Sequence, residues 1–457
     1  MKFTHYHSFL NIDGKHYLFN TINSALIELN TDNYHKLQYF STNKNDIDFD
    51  ENDLKILKEN GFLVDDSYDE ILWARNKYLM SKYRIGNKLK IDIATTNKCN
   101  FSCTYCYERD SNKGSQITPM KKENFAKELK NYITYMLENY SIKVLQIVWF
   151  GGEPLLEFPL ITSINKDLIK LASNFNIEYS NIIVTNGYLI NEKVAKNLSD
   201  QNVRHVQITL DGTESFHNEK RKLINGGKTY SKILDGISYL LSNKIKVLVR
   251  INVDRSNKES IFSLIDDLYR KYKEYVLAKK LFLNIARIFG YEKSLSISEF
   301  DPVYNELWIK AAQYGFFEPS LETAREGVFC NAERDTIDSL VIDIFGKVYK
   351  CWNYVFINDA NYSTLKEMSE NNFTMISRNK ERLKYVEKVS LLNINGGNCL
   401  SCNYLPYCQG LCPDLRLRIL EGKEENIYER NKCKLIVENH IKSTIKTILW
   451  LQKMRGY

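Results

Sequence analysis

The sequence predicts an α/β fold built on a mainly parallel sheet, and three observations carry that expectation. Between residues 88 and about 300, short apolar runs alternate with helical stretches, the order that builds a parallel sheet with crossover helices. Six of these runs have strand length, at 89–94, 144–150, 180–185, 205–210, 246–253 and 281–287. The first, Leu89-Lys90-Ile91-Asp92-Ile93-Ala94, alternates apolar and polar residues with a period of two. Residues of chemical character stand just beyond several runs, at the strand ends where such folds place their sites.

With 457 residues, 44% of them hydrophobic and 26% charged, the chain suffices for two or three globular domains. Residues 1–14 contain no apolar segment of a secretory signal. No apolar run approaches membrane-spanning length, so a cytoplasmic protein without membrane contact is expected. The net charge is +7, yet residues 1–85 hold 10 basic and 13 acidic residues. The excess is spread over the remainder with no concentrated basic stripe, which argues against a nucleic-acid partner. Ten cysteines in such a chain read as metal or redox ligands rather than disulfides.

Residues 1–85 form the first segment. Two extended runs flank Asp13-Gly14, a hairpin dipeptide, and a third run covers Ala25 to Leu29. Thr31 or Asp32 is positioned to cap a helix through about Phe40. Asp50 to Gly61 reads as a second helix with a terminal glycine, followed by a short strand at Phe62-Leu63-Val64 and a connecting helix over 67–85. His5, His7, His16 and His35 have no metal-ligand spacing. The segment reads as a binding module or a packing extension.

The stretch with the most chemistry is Cys99-Asn100-Phe101-Ser102-Cys103-Thr104-Tyr105-Cys106. Three thiols on a loop after a strand can converge on one inorganic body. A four-iron cluster takes four thiolates, so three local cysteines leave one iron open; a structural zinc would need a fourth ligand, and none lies nearby. The spacing, with an aromatic residue before the last cysteine, resembles the radical S-adenosylmethionine (SAM) enzymes. That resemblance implies a partial (β/α)6 TIM-like barrel over residues 86–300. It also implies that Cys99, Cys103 and Cys106 hold a [4Fe–4S] cluster whose open iron chelates SAM and cleaves it to a 5′-deoxyadenosyl radical.

Further motifs extend the resemblance. Gly151-Gly152-Glu153-Pro154 closes the second strand and resembles the family motif whose backbone and Glu receive the SAM amino group. Thr185-Asn186-Gly187 reads equally well as a family turn or a plain one. Thr209-Leu210-Asp211-Gly212 ends the fourth strand, followed by His217 and Arg221. By resemblance Tyr105, Gly151, Gly152, Glu153, Thr209 and Arg221 bind the cofactor: a hydroxyl for the ribose and a guanidinium for the carboxylate, with Arg250 as the alternative for the latter. His217 is read as structural in preference to catalytic.

The other seven cysteines, Cys330, Cys351, Cys399, Cys402, Cys408, Cys412 and Cys433, all follow residue 329. Their spacing, with Gly346 before Cys351, resembles SPASM, the auxiliary-cluster domain of radical SAM enzymes that modify peptides; residues 301–435 are assigned to it. Seven thiolates do not divide into two zinc sites. The resemblance gives one auxiliary cluster Cys399, Cys402, Cys408 and Cys433, and the other Cys330, Cys351 and Cys412. Thr336 stands where some members carry a further cysteine, leaving either an open iron or a weak ligand such as Asp335 or Asp338. Trp352 replaces the aspartate that serves as base in the sulfatase-maturing branch. Residues 434–457 read as an amphipathic closing helix, with Leu435, Ile436, Ile441, Ile445 and Leu449 near helical spacing, and 436–457 are set apart as the C-terminal segment.

Taken together, the resemblance implies a peptide maturase with SAM and three [4Fe–4S] clusters. The 1–85 segment resembles a winged-helix-like peptide-recognition domain that captures the leader of a ribosomally made precursor, and flavodoxin or ferredoxin would supply electrons. Thioether formation at a substrate cysteine is the expected reaction, although carbon–carbon crosslinking uses the same architecture. The rivals are a sulfatase-maturing oxidase and a non-catalytic iron–sulfur sensor or scaffold.

Overall fold

The computed structural model describes residues 1–43, 49–108, 119–321, 330–357, 360–370 and 380–455. They fall into two compact units. One comprises 1–84, 319–334 and 385–457; the other comprises 85–318 and 335–384.

In the first unit, β1 (Lys2–Phe3), β2 (His7–Ile12), β3 (Lys15–Asn20) and β4 (Leu26–Leu29) precede α1 (Thr31–Asn43), α2 (Glu51–Glu59), β5 (Leu63–Val64) and α3 (Glu70–Tyr83). β2, β3 and β4 form an antiparallel sheet, and β1 pairs with β5. The β2–β3 turn is Asp13-Gly14 with φ of 49° and 81°, the doubly left-handed geometry that suits this dipeptide. The cap of α1 is Asn30, whose Oδ1 accepts from Asn33 N at 2.8 Å, rather than Thr31 or Asp32, and the helix runs three residues past Phe40. Asp50 caps α2 through Asp53 N at 2.7 Å. One side of the small sheet packs Leu18 against Leu37, Leu57 and Phe62. The other side packs Leu10, Ile12, Tyr17 and Phe19 against Ile441 and Ile445 of the C-terminal helix, Lys432–Arg455.

That helix starts earlier than its apolar spacing suggests, and Cys433 lies in its first turn. Ile441 and Ile445 are buried whereas Leu435 and Leu449 are exposed, their places on the buried stripe being taken by Thr444 and Thr447. Residues 456 and 457, part of the expected helix, lie outside the described residues.

The second unit is organised by a nine-stranded sheet. Its parallel strands are β6 (Lys88–Ala94), β7 (Val144–Phe150), β8 (Glu178–Thr185), β9 (Val203–Thr209), β10 (Lys246–Val253) and β11 (Leu281–Arg287). Helices α4 (Lys122–Asn139), α5 (Phe158–Asn174), α6 (Glu192–Asp200), α7 (Glu214–Lys220), α8 (Tyr230–Ser242) and α9 (Lys258–Leu277) fall between them, and α10 (Ile297–Gln313) follows. The strand order is β11-β10-β9-β8-β7-β6-β12-β13-β14, where β12 is Ser339–Asp343, β13 is Lys347–Tyr349 and β14 is Ser363–Thr364. The six expected strands are present; β8 and β9 each begin two residues early, where Glu178 pairs with Val144 and Val203 with Asn181.

Sheet register divides the residues between two faces. Ile91, Ile147, Ile183, Val206, Val249 and Leu283 pack with the helices in one large apolar cluster. The alternating positions carry Lys90, Asp92, Gln146, Gln207, Thr209, Arg250, Asn252 and Asn284 on the opposite face, as the cross-strand partners show. A parallel sheet covered by helices on both faces would be apolar throughout; here the second face carries these polar side chains beside apolar ones such as Val148 and Leu248.

The compact units do not follow the boundaries expected from sequence. β12 pairs with β6, residue for residue from Ser339↔Lys90 to Asp343↔Ala94, so 335–384 belongs with the large sheet. Residues 385–457 belong with the N-terminal segment. Cysteine spacing carried the expected boundary, and it is blind to strand pairing.

Candidate active site

The loop after β6 is clamped on three sides. Gly152 N donates to Thr96 O at 2.9 Å and Glu153 N to Lys98 O at 2.8 Å. A Cβ on Gly151 would lie 2.5 Å from Thr96 O, and one on Gly152 would lie 2.2 Å from Lys98 O; paired glycines are what let the two backbones meet. Opposite, Ser102 N donates to Lys222 O (2.9 Å), Thr104 N to Lys220 O (3.1 Å) and Ile224 N to Asn100 O (3.0 Å). From the third side, Asn186 Nδ2 donates to Asn100 Oδ1 at 2.7 Å and stands 3.9 Å from Cys99 Sγ. The Thr185-Asn186-Gly187 segment is therefore more than a plain turn.

Cys103 is buried, and Cys99 and Cys106 are half-buried. Burial foremost, joined by Glu153, Cys103 and Cys106, pushes the Cys99 thiol up to about 12. Cys106 is raised by burial, Glu108 and Cys103. Among the described residues no group of three or more His, Cys, Asp or Glu side chains is arranged to hold a single metal ion. The three mutually interacting thiols are soft donors of the kind an iron–sulfur cluster takes, and binding would release their protons.

Glu153 is fully buried, and its carboxylate is engaged inside the protein. It accepts Thr185 Oγ1 at 2.6 Å, Asn186 N at 2.8 Å and Leu155 N at 3.0 Å. Its geometry is that of a brace between the ends of β7 and β8, and a ligand at this corner meets backbone that Glu153 holds in place.

Tyr105 is the centre of a second group. Its hydroxyl donates to Asp211 Oδ2 and accepts from Arg221 Nη1 at 2.8 Å and Asn252 Nδ2 at 3.2 Å. Asp211 Oδ1 in turn accepts Asn252 N at 3.0 Å. Burial works against the Arg221 charge, but Cys103, Tyr105 and Asp211 outweigh it and hold the guanidinium well above its usual range. Thr209 is half-buried and pairs in register with Arg250, whose Nε donates to Asn252 Oδ1 at 2.9 Å. His217 is fully buried between Asp211 N and Thr229 Oγ1, at 3.4 and 3.2 Å. Burial, helped by Arg221, pushes its pKa well below the usual value, which suits a structural role. Asp211 and Asn252 were missed as site residues, although an acid directly after a strand was a visible signal.

The later cysteines divide between the units. Cys399, Cys402, Cys408 and Cys433 line one small cavity together with Tyr428. Burial and the other three thiols push Cys399 up to about 12, and Cys408 rises to about 11. Four converging thiols are a complete donor set for a [4Fe–4S] cluster. Cys330 and Cys412 interact in the same unit, while Cys351 belongs to the other, directly before a 3-10 turn at Trp352–Tyr354. Thr336 Oγ1 donates to Asp338 Oδ1 at 2.5 Å, and Gly86 N donates to Asp338 Oδ2 at 2.7 Å. Asp338 is thus committed to the fold, and Asp335 is half-buried.

Residues 93–268, which include the clamped loop and its three cysteines, match the Radical SAM superfamily. The chain carries a radical SAM domain. The three thiols after β6 fit a [4Fe–4S] cluster with one iron left open. Among curated relatives, the radical SAM cyclopropyl synthase TigE of Paramaledivibacter caminithermalis is 24% identical over 455 residues, covering 92% of this chain and 90% of that one. A cysteine-type anaerobic sulfatase-maturating enzyme of Clostridium perfringens is 24% identical over 355 residues, covering 73% and 90%. Of solved structures, native anSMEcpe with bound AdoMet superposes with a TM-score of 0.58 at 20% identity, covering 79% of this chain and all of that one. Streptococcus suis SuiB bound to its precursor peptide SuiA gives 0.50 at 14% identity, covering 94% and 99%. These superpositions show a shared radical SAM fold. No helix among the described residues is long and apolar enough to cross a membrane.

Proposed function

We propose that this radical SAM enzyme modifies a ribosomally made precursor peptide by abstracting hydrogen from carbon and closing a new bond on that carbon. The observation that carries this reading is the pairing of a clamped three-thiol loop with a separate four-thiol cavity, Cys399, Cys402, Cys408 and Cys433. SAM cleavage needs one cluster; a second complete donor set suits an enzyme that must also remove an electron from its substrate. When bound, a cluster on Cys99, Cys103 and Cys106 would supply the electron that splits SAM into methionine and a 5′-deoxyadenosyl radical.

The chain's own residues provide the setting. The Tyr105–Asp211–Arg221–Asn252 group holds the ends of β9 and β10 in place and offers a guanidinium for the SAM carboxylate, with Thr209 nearby on the same face. Gly151 and Gly152 bring backbone against the cluster loop, and Glu153 braces that corner. The exposed edge of the β2–β3–β4 sheet suits capture of an extended leader by strand addition. Flavodoxin or ferredoxin is the expected electron source.

Thioether closure onto a substrate cysteine is the first reading of the bond formed. Cyclopropane formation is the second, favoured by the relative named a cyclopropyl synthase, which aligns along nearly the whole chain. Either reaction removes two hydrogens from the peptide. The test is anaerobic incubation of reconstituted enzyme, reductant and SAM with the peptide encoded beside the gene, followed by mass spectrometry after thiol alkylation. Loss of two hydrogens with one thiol protected establishes the thioether. The same loss with every thiol alkylated establishes a carbon–carbon ring or crosslink. Abundant 5′-deoxyadenosine beside an unchanged peptide overturns the substrate reading.

A further inference from the structure

Asp92 lies two residues before the end of β6, on the sheet face turned away from the helices, and is 4% exposed. Its Oδ2 accepts the indole N–H of Trp352 at 2.6 Å, and Lys90 Nζ stands 3.1 Å from the same oxygen. Its Oδ1 is buried and has no hydrogen-bond partner among the described residues. The indole is not free to swing across to it: Trp352 lies flat on Phe150, with centroids 4.3 Å apart and an interplanar angle of 12°. One carboxylate oxygen is therefore fixed and the other is left without a donor.

A buried carboxylate oxygen without a donor costs folding free energy, and a native exception asks for an explanation. A ligand that brings the missing donor is one. Asp92 stands on the strand that runs directly into the Cys99 loop, beside Phe150, which precedes the Gly151-Gly152 clamp. Asp211 follows β9 and Asn252 lies on β10, far across the sheet from β6, and Asp92 is not among the residues assigned to SAM. Burial raises the Asp92 carboxyl above its usual range, while the Lys90 ammonium and the Trp352 indole N–H on Oδ2 oppose that rise and favour the acceptor form; a peptide offers an N–H at nearly every residue.

We propose that Asp92 Oδ1 is a substrate contact that accepts an N–H of the peptide residue presented to the radical, fixing which C–H faces it. This rests on the peptide-modifying reading above.

The test is Asp92→Asn in the reconstituted holoenzyme, with the full-length precursor encoded beside the gene as probe. The amide keeps an acceptor for Trp352 but turns an NH2 towards the substrate N–H. The 5′-deoxyadenosine formed per modified peptide should rise about tenfold, as expected for losing a hydrogen bond to a charged group. The melting temperature of D92N should fall no further than that of Lys90→Gln, because the Lys90 pair on Oδ2 is the tie both variants lose. Wild-type coupling in D92N would overturn the proposal. So would a Tm several degrees below that of Lys90→Gln, which would show Oδ1 to be tied into the scaffold by bound water. If wild-type enzyme makes 5′-deoxyadenosine yet leaves the peptide unmodified, the peptide reading fails; the Tm arm still decides whether Oδ1 is a structural group.

Discussion

Asn186 ties the turn after β8 to the cluster loop, donating to Asn100 Oδ1 at 2.7 Å while its amide stands 3.9 Å from Cys99 Sγ. Asn186→Ala removes this tie and leaves both backbone clamps in place. Loss of one such bond is worth about 1 kcal/mol, so release of iron to a chelator should quicken about fivefold. Absorbance of the cluster against time in chelator checks this.

Gly152→Ala tests the closest approach in the site. Its Cβ would meet Lys98 O at 2.2 Å, and backbone cannot yield as a flexible side chain does. A cost of about 3 kcal/mol is expected from such overpacking. Denaturant unfolding and iron content should fall together, since the displaced segment leads into Cys99.

Tyr105→Phe deletes a hydroxyl with three partners, Asp211, Arg221 and Asn252. Leaving a buried charge unpaired costs about 2 kcal/mol. SAM affinity should weaken about tenfold or more if Arg221 loses its aim, since each 1.4 kcal/mol is a factor of ten. Equilibrium dialysis with the cluster-loaded variant reads it directly.

His217 gives the fold an acid limit. Its pKa is pushed well below 6.5 in the folded protein, whereas the unfolded chain takes up that proton near 6.5. Stability carried by neutral His217 is therefore complete above about pH 6.5 and declines as pH falls below it, by up to about 1.4 kcal/mol per unit. His217→Gln should flatten this decline, as urea midpoints between pH 7 and 5 would show.

Cys408→Ala removes one of four thiols lining a shared cavity. It should lower bound iron by about four atoms, one cluster. SAM cleavage, which depends on the Cys99 loop, should persist while peptide modification stops. Iron analysis with parallel 5′-deoxyadenosine and peptide assays checks both.

The sheet and its cluster loop were legible because strand periodicity and cysteine spacing are local properties. All six parallel strands lie on the short apolar runs, β8 and β9 beginning two residues early, and the glycine pair proved necessary for a close approach that sequence only suggested. Asp211 and Asn252 escaped because their roles arise from sheet geometry: Asn252 meets Tyr105 across 147 positions of chain. Asp92 escaped for the same reason, its indole partner lying 260 positions away. In the closing helix, spacing proposed Leu435 and Leu449 for a stripe that Ile441 and Ile445 occupy with two threonines. Helical period gives a face, but the neighbouring sheet decides how much of it is covered.

The parallel pairing of β12 with β6, from Ser339↔Lys90 to Asp343↔Ala94, has a consequence for biosynthesis. The strand that delivers the chain to Cys99 leaves the ribosome about 250 residues ahead of one of its two neighbours. At about 5–20 residues per second, that is a wait of roughly 12 to 50 seconds. During it β6 presents an open edge, and the nascent protein has a natural client site for a chaperone.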